Sequence, residues 1–191
     1  MKWGDLYTNM RGWVFIHKLG MWGFAMAAAV GLFLPILGKR TYASVTGGAL
    51  LGFGSAYTAM VTMIHATQAS SIGAAWINTP NGERKAIYRA VGEAFMAYDI
   101  GVTAGASIMI SAGIFLIAYA MWRRGVVSAL PAIIIAGLGF TWTAQFHHVF
   151  NYLGFSVPEA IHWAAFGVAM IAIGAFTHLE HRRAIAAPVE E

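Results

Sequence analysis

Apolar residues fall along this chain in five long stretches, at about 13–37, 43–66, 94–122, 126–153 and 158–179. Each is at least as long as the roughly 20 residues a helix needs to cross a bilayer's hydrocarbon. The pattern predicts an all-α membrane protein, a single transmembrane helical domain over residues 1–191 built as a bundle of about five helices. The connections are short except for 67–93. That segment opens with small and polar residues and turns at Asn78-Thr79-Pro80-Asn81-Gly82. Beyond the turn, Ile87, Ala90, Val91 and Ala94 share one helical face with charges opposite. This predicts a short amphipathic helix at about 83–93 lying on the membrane surface. No internal repeat is visible, and the tail after His181 is short and polar.

Composition agrees with the pattern. Of 191 residues, 59% are hydrophobic and only 10% charged, against about 25% charged in soluble domains. The net charge is +4, but the basic residues sit in short clusters between apolar runs. They form no stripe that tracks a nucleic-acid backbone, so the partners to expect are membrane lipid and other membrane subunits or a second copy, not nucleic acid. The first apolar run is too long for the core of a cleavable signal. There is no cysteine, which excludes disulfides, thiolate metal sites and Cys nucleophiles.

Orientation is read from Lys and Arg near the span ends. The pairs Lys39-Arg40, Arg123-Arg124 and Arg182-Arg183 collect on one side, and Lys2, Arg11, Arg84, Lys85 and Arg89 on the other. The tight pairs mark the first side as cytoplasmic. The expected location is a bacterial-type inner (plasma) membrane, with the N-terminus outside and the C-terminus cytoplasmic. Gly48 and Gly52, and Gly101 and Gly105, have the small-xxx-small spacing of close helix packing. Trp13, Trp22, Trp76, Trp122, Trp142 and Trp163, with Tyr88 and Tyr152, fit aromatic belts at the two interfaces. The methionines are scattered and read as packing.

Depth is where the sequence becomes informative about chemistry. At ~1.5 Å rise per residue, His17 lies about one turn into the first span from its outer end. His65 ends the second span, and Asp99 lies about one turn into the third. His147 and His148 lie within about two turns of the outer end of the fourth, and His162 lies about one turn into the fifth. Every span therefore brings a His or an Asp to one level. Ionisable groups inside a membrane are costly and mark functional sites, and His and Asp are ligands for copper and iron. Imidazole is also the usual axial ligand of a b-type haem. A two-haem cytochrome needs His pairs at two depths, and no span supplies them. The fitting cofactors are thus a transition metal (copper or iron) or one b-type haem near the outer face. Tyr98, Gln68, Gln145, Asn151 and Glu159 lie near the same level, as supporting hydrogen-bond partners or proton carriers.

The segment Gln145-Phe146-His147-His148-Val149-Phe150-Asn151-Tyr152-Leu153-Gly154 resembles the His-His span end of the heme–copper oxidase and nitric-oxide reductase catalytic subunits. In that family a tandem His pair near the outer face ligates the non-haem metal. The resemblance covers about ten residues and implies that His147 and His148 are metal ligands. The family's catalytic chain has more than twice the spans found here, and its His-Tyr helix has no counterpart.

These features point to a membrane metal- or haem-binding redox protein. It would act in electron transfer with a quinol or a periplasmic electron donor, or as an oxidoreductase on a small molecule. Two other readings use the same residues. One is a metal-free proton-linked channel or transporter built on the His/Asp cluster. The other is a membrane-anchor subunit of a larger complex. No intramembrane Lys suits a retinal Schiff base, and Gly-rich phosphate loops, a Gly-x-Ser-x-Gly elbow and His-Glu-x-x-His are absent.

Overall fold

The computed structural model describes residues 10–37, 40–146 and 158–186. The described chain contains no strand. Its elements are α1 (Met10–Leu37), α2 (Tyr42–Gln68), a π-helical turn (Ala69–Gly73), α3 (Ala74–Asn78), α4 (Glu83–Arg123), α5 (Ala129–Phe146) and α6 (Glu159–Ala186). Four stretches are long and apolar enough to cross a membrane: Val14–Leu34, Tyr42–Asn78, Glu83–Arg123 and Ile161–Arg183. The fifth, Ala129–Ala144, is apolar but shorter; the expected fourth span runs past it into 147–153, outside the described residues. The chain is a membrane-type bundle. Large apolar side chains such as Trp22, Met26, Phe33, Ile133 and Ile171 stand fully outward, a distribution that suits lipid and not water.

Local chemistry sets the helix ends. Thr41 caps α2: its Oγ1 accepts from the amide of Ser44 at 3.1 Å, and Ser44 Oγ accepts from the Thr41 amide at 2.9 Å. This reciprocal pair satisfies two amides that a helix start leaves open. Pro80 excludes helical geometry at the residue before it, and Thr79 is extended there. Gly82, at φ 140°, makes the reversal into α4. At the other end of α4, Gly125 takes φ 71°. Its amide bonds Trp122 O and the Val126 amide bonds Met121 O, both at 2.9 Å. That is the paired closure of a helix ending on a left-handed glycine.

The expected surface helix is revised. Residues 83–93 are helical, but they run without a break into the third span as one 41-residue helix. The small and polar stretch after Thr67 is helical as well, carried through the π turn to Asn78. Nothing between Gln68 and Pro80 forbids a helix, so the chain turns only at the proline. The two arms, roughly 55 and 61 Å long, exceed the ~30 Å hydrocarbon thickness. Lys85 Nζ sits 4.9 Å from the Trp76 ring centre and ties the arms near their tip.

Each long helix packs chiefly on its neighbour in sequence: α1 on α2, α2 on α4, α4 on α5 and α5 on α6. The return contact from α6 to α1 is much thinner. Glycine permits the closest approaches. A Cβ at Gly31 would stand 2.6 Å from the Gly52 amide nitrogen and 2.8 Å from Gly48 O. One at Gly113 would stand 2.6 Å from the Leu51 amide nitrogen. Gly48 and Gly52 therefore serve the packing role their spacing predicts. Gly101 and Gly105 do not, since a Cβ at either would meet nothing within 4 Å; the third span's packing glycine is Gly113. Hydroxyls join α4 to α5. Ser111 Oγ donates to Gly139 O at 2.8 Å, Thr143 Oγ1 donates to Ser107 O at 2.8 Å, and the two hydroxyls meet at 2.5 Å. Beside the Arg123–Arg124 end, Arg124 Nη2 pairs with Glu180 Oε2 of α6 at 3.1 Å.

Candidate functional site

Up-and-down connectivity puts the start of α1, the end of α2, the middle of α4, the end of α5 and the start of α6 at one end of the bundle. A pocket of about 160 Å³ lies there, lined by His17, Thr58, Thr62, His65, Asp99 and Thr103, with Phe24, Trp142 and Trp163 among its apolar walls. Three of the six expected ligands therefore share one cavity, each from a different helix.

Their geometry is close. The rings of His17 and His65 are 4.9 Å apart, centre to centre, and nearly perpendicular at 74°. His65 Nδ1 lies 3.6 Å from Asp99 Oδ2. That separation is too long for a good hydrogen bond. Asp99 is buried, and its Oδ2 accepts no hydrogen bond among the described residues. A buried carboxylate oxygen in this condition is expensive.

The pocket's floor is apolar. Trp142 and Trp163 meet edge to face at 4.8 Å between ring centres. Phe24 lies 5.1 Å from Trp142, and Phe166 5.4 Å from Phe24. Leu51, Ile110, Ile114, Ile173 and Met121 are fully buried among the described residues beyond them. Trp142 is 1% exposed, so it belongs to the core and not to an interfacial belt. Trp163 packs against the same core. Trp22 and Trp122 do face outward, as expected.

The other expected residues are placed differently. His162 is buried in α6 but does not line the pocket. Tyr98 is 61% exposed; it neighbours Asp99 in sequence, and adjacent helical residues diverge by about 100°, so it faces outward. Gln68 is half-buried and does not line the cavity. His147, His148 and Asn151 lie outside the described residues, as do the side chains of Gln145 and Glu159. Among the described residues, no group of three His, Asp or Glu has spacing fit to hold a metal ion.

The sequence reading missed the threonines. Thr58 and Thr62 lie seven and three residues before His65, and Thr103 four after Asp99. Helical neighbours three and four apart share a face, and that spacing was available to find them. Thr58 is tied to its own helix, donating to Gly54 O at 2.9 Å, and Thr62 donates to Thr58 O. Their methyl groups and remaining lone pairs make the wall mixed in character.

No family model, curated protein or solved structure matches this chain.

Proposed function

We propose that this chain is a membrane-embedded redox protein whose centre occupies the His17–His65–Asp99 pocket on the outer side of a bacterial-type plasma membrane. The observation that carries the reading is convergence: three helices bring two imidazoles and a buried carboxylate oxygen with no hydrogen bond into one cavity. The donor set suits copper or iron. Two donors about 2.0–2.2 Å from one ion stand roughly 3.3–3.6 Å apart at tetrahedral to trigonal angles, and His65 and Asp99 have that spacing. The described residues do not complete a ligand set, and the remaining donors would be His147 and His148, whose resemblance to an oxidase metal pair favours that role. A b-type haem, the other cofactor the sequence suggests, is several times larger than the pocket of about 160 Å³ and does not fit it. The metal would supply the electron step; the protein's residues hold it, exclude lipid and hand protons to outer water.

A proton-linked channel has less support. Between the pocket and the Arg124–Glu180 pair, no ionisable side chain is buried or half-buried among the described residues. A one-sided polar pocket on an apolar floor suits a reaction centre better than a conduit.

Elemental analysis of the detergent-purified, untagged chain tests the proposal. About one copper or iron per chain is the expected result, and an absorbance spectrum then separates haem from non-haem iron. Folded protein with less than about a tenth of a metal per chain sinks it.

A further inference from the structure

The ring of helices is thinnest between α1 and α6. A groove of about 530 Å³ lies along that seam. On α1 it runs from Ile16 to Val30, roughly 21 Å of helix, and on α6 from Trp163 to Ile171. Every described residue lining it is apolar, aromatic or glycine. The groove is open because Gly23 and Gly167 bring no side chain to it; a Cβ at either would meet nothing within 4 Å. Phe24 and Trp163 line both this groove and the polar pocket. The two cavities are thus adjoining compartments of opposite character, one small and hydrogen-bonding, the other long and apolar.

We infer that the pair of cavities holds one isoprenoid quinone, ring in the His17–His65–Asp99 pocket and chain in the α1–α6 groove, entering sideways from the bilayer between those helices. The inference rests on the redox reading above and names its membrane substrate and route. A quinone ring is planar and carries two carbonyl acceptors. Imidazole N–H groups of His17 and His65 are donors for them, and the Trp142 and Trp163 rings are stacking surfaces for its faces. The chain has no polar atom, and the indole N–H of Trp163 is the one polar side-chain group among the described residues lining the groove. A phospholipid meets only half of this description. Its acyl chain suits the groove, but its phosphate would face the buried Asp99 with no Lys or Arg among the described residues lining the pocket.

The test uses the full chain in lipid nanodiscs with three probes: a decyl-substituted benzoquinone, the same ring with methyl in place of decyl, and decanol. Binding is read by quenching of tryptophan fluorescence and by retention on filtration. The expected result is saturable binding of the decyl quinone that decanol does not displace. Gly23→Leu and Gly167→Leu, which fill the groove from opposite helices, weaken the decyl quinone about tenfold or more and leave the methyl quinone unchanged. His65→Ala weakens both. A decyl quinone carrying a diazirine at its chain end, photolysed with the unmodified protein, labels α1 and α6. Non-saturable partition, equal displacement by decanol, unaltered affinity in both leucine variants, or labelling confined to α2, α4 or α5 overturns the inference. Metal content measured on the same samples keeps the two readings apart. Metal-loaded protein that binds no quinone removes this inference alone, and metal-free protein that binds it removes only the metal centre.

Discussion

Oδ2 of Asp99 faces Nδ1 of His65 across 3.6 Å and across the boundary between two helices. The carboxylate oxygen is buried and accepts no hydrogen bond among the described residues. A soluble protein would solvate or neutralise such a group. Here it stands in a cavity with a second imidazole 4.9 Å from the first, so the helices hold a site whose electrostatics are satisfied only in part.

That relationship gives the first prediction. Asp99→Asn keeps the shape and removes the charge, so the bundle should still fold. Metal content should fall several-fold, because second donors and their orienting partners typically change affinity by about 10–100-fold. The unmodified protein should also release metal as pH falls. Ligands bind only when deprotonated, so protons compete for imidazole and carboxylate, and retention must rise with pH, never fall. Elemental analysis after dialysis at stepped pH checks both. Asp99→Asn with undiminished metal removes Asp99 from the site.

Glycine packing supplies a structural prediction. Gly31→Ala and Gly113→Ala each push a methyl to within 2.6 Å of backbone nitrogen on the facing helix. Backbone cannot swing aside, so each should cost about 1–3 kcal/mol from overpacking. Gly101→Ala is the control. It meets nothing within 4 Å and should be neutral or gain up to about 1 kcal/mol of helix propensity. Thermal unfolding in detergent, read by circular dichroism, compares the three.

These glycines also show what one sequence discloses. Spacing alone made Gly48–Gly52 and Gly101–Gly105 equivalent, yet only the first pair meets another helix. Hydropathy fixes how deep a residue lies, through the constant rise of a helix, but not which way it faces in the bundle. The same limit explains the site. The common level of His17, His65, Asp99 and His162 was legible, while the placing of buried His162 outside the pocket's lining was not. Trp142 and Trp163 have the depth of belt residues and the azimuth of core residues. Polarity after Thr67 does not mark a helix end, because nothing between Gln68 and Pro80 stops a helix.

The α4–α5 hydroxyls allow a double-mutant cycle. The hydroxyls of Ser111 and Thr143 stand 2.5 Å apart, and each reaches a carbonyl of the facing helix, so their two protons are shared among three contacts. Interhelical hydrogen bonds inside membranes average about 0.6 kcal/mol, because separated helices also find partners. Ser111→Ala and Thr143→Val should therefore each destabilise modestly and couple by about 0.5–1.5 kcal/mol. Additive losses would mean the two hydroxyls act independently.

The Arg124–Glu180 pair predicts an asymmetric response. Both side chains are mostly shielded, at 12% and 17% exposure. Glu180→Gln takes the charge partner from a shielded arginine, so it should cost more than the roughly 0–1 kcal/mol of a surface pair. Removing both, in Arg124→Met with Glu180→Leu, should recover part of that loss, since a well-packed apolar pair often replaces a shielded ion pair without penalty. Equal losses in the single and double variants would show that the pair contributes through something other than its charge.

The apolar floor of the pocket carries the last prediction. Proton conduction needs a chain of polar groups or water from face to face. Beneath His17, His65 and Asp99 the path meets the rings of Phe24, Trp142 and Phe166, then Ile114, Ile173 and Met121. The hydroxyls of Ser111 and Thr143 lie off to one side, between α4 and α5, where each reaches a carbonyl of the facing helix. Proteoliposomes holding the unmodified chain and a pH-sensitive dye should therefore keep an imposed proton gradient as long as protein-free vesicles do. Trp142→Ala should cost about 3–5 kcal/mol of stability and open space under the pocket, and gradient loss in that variant alone would identify the ring as the seal. Dissipation by the unmodified protein that survives a chelator and vanishes in Asp99→Asn would instead make the same three residues a proton relay, and the one-sided redox centre would have to be given up.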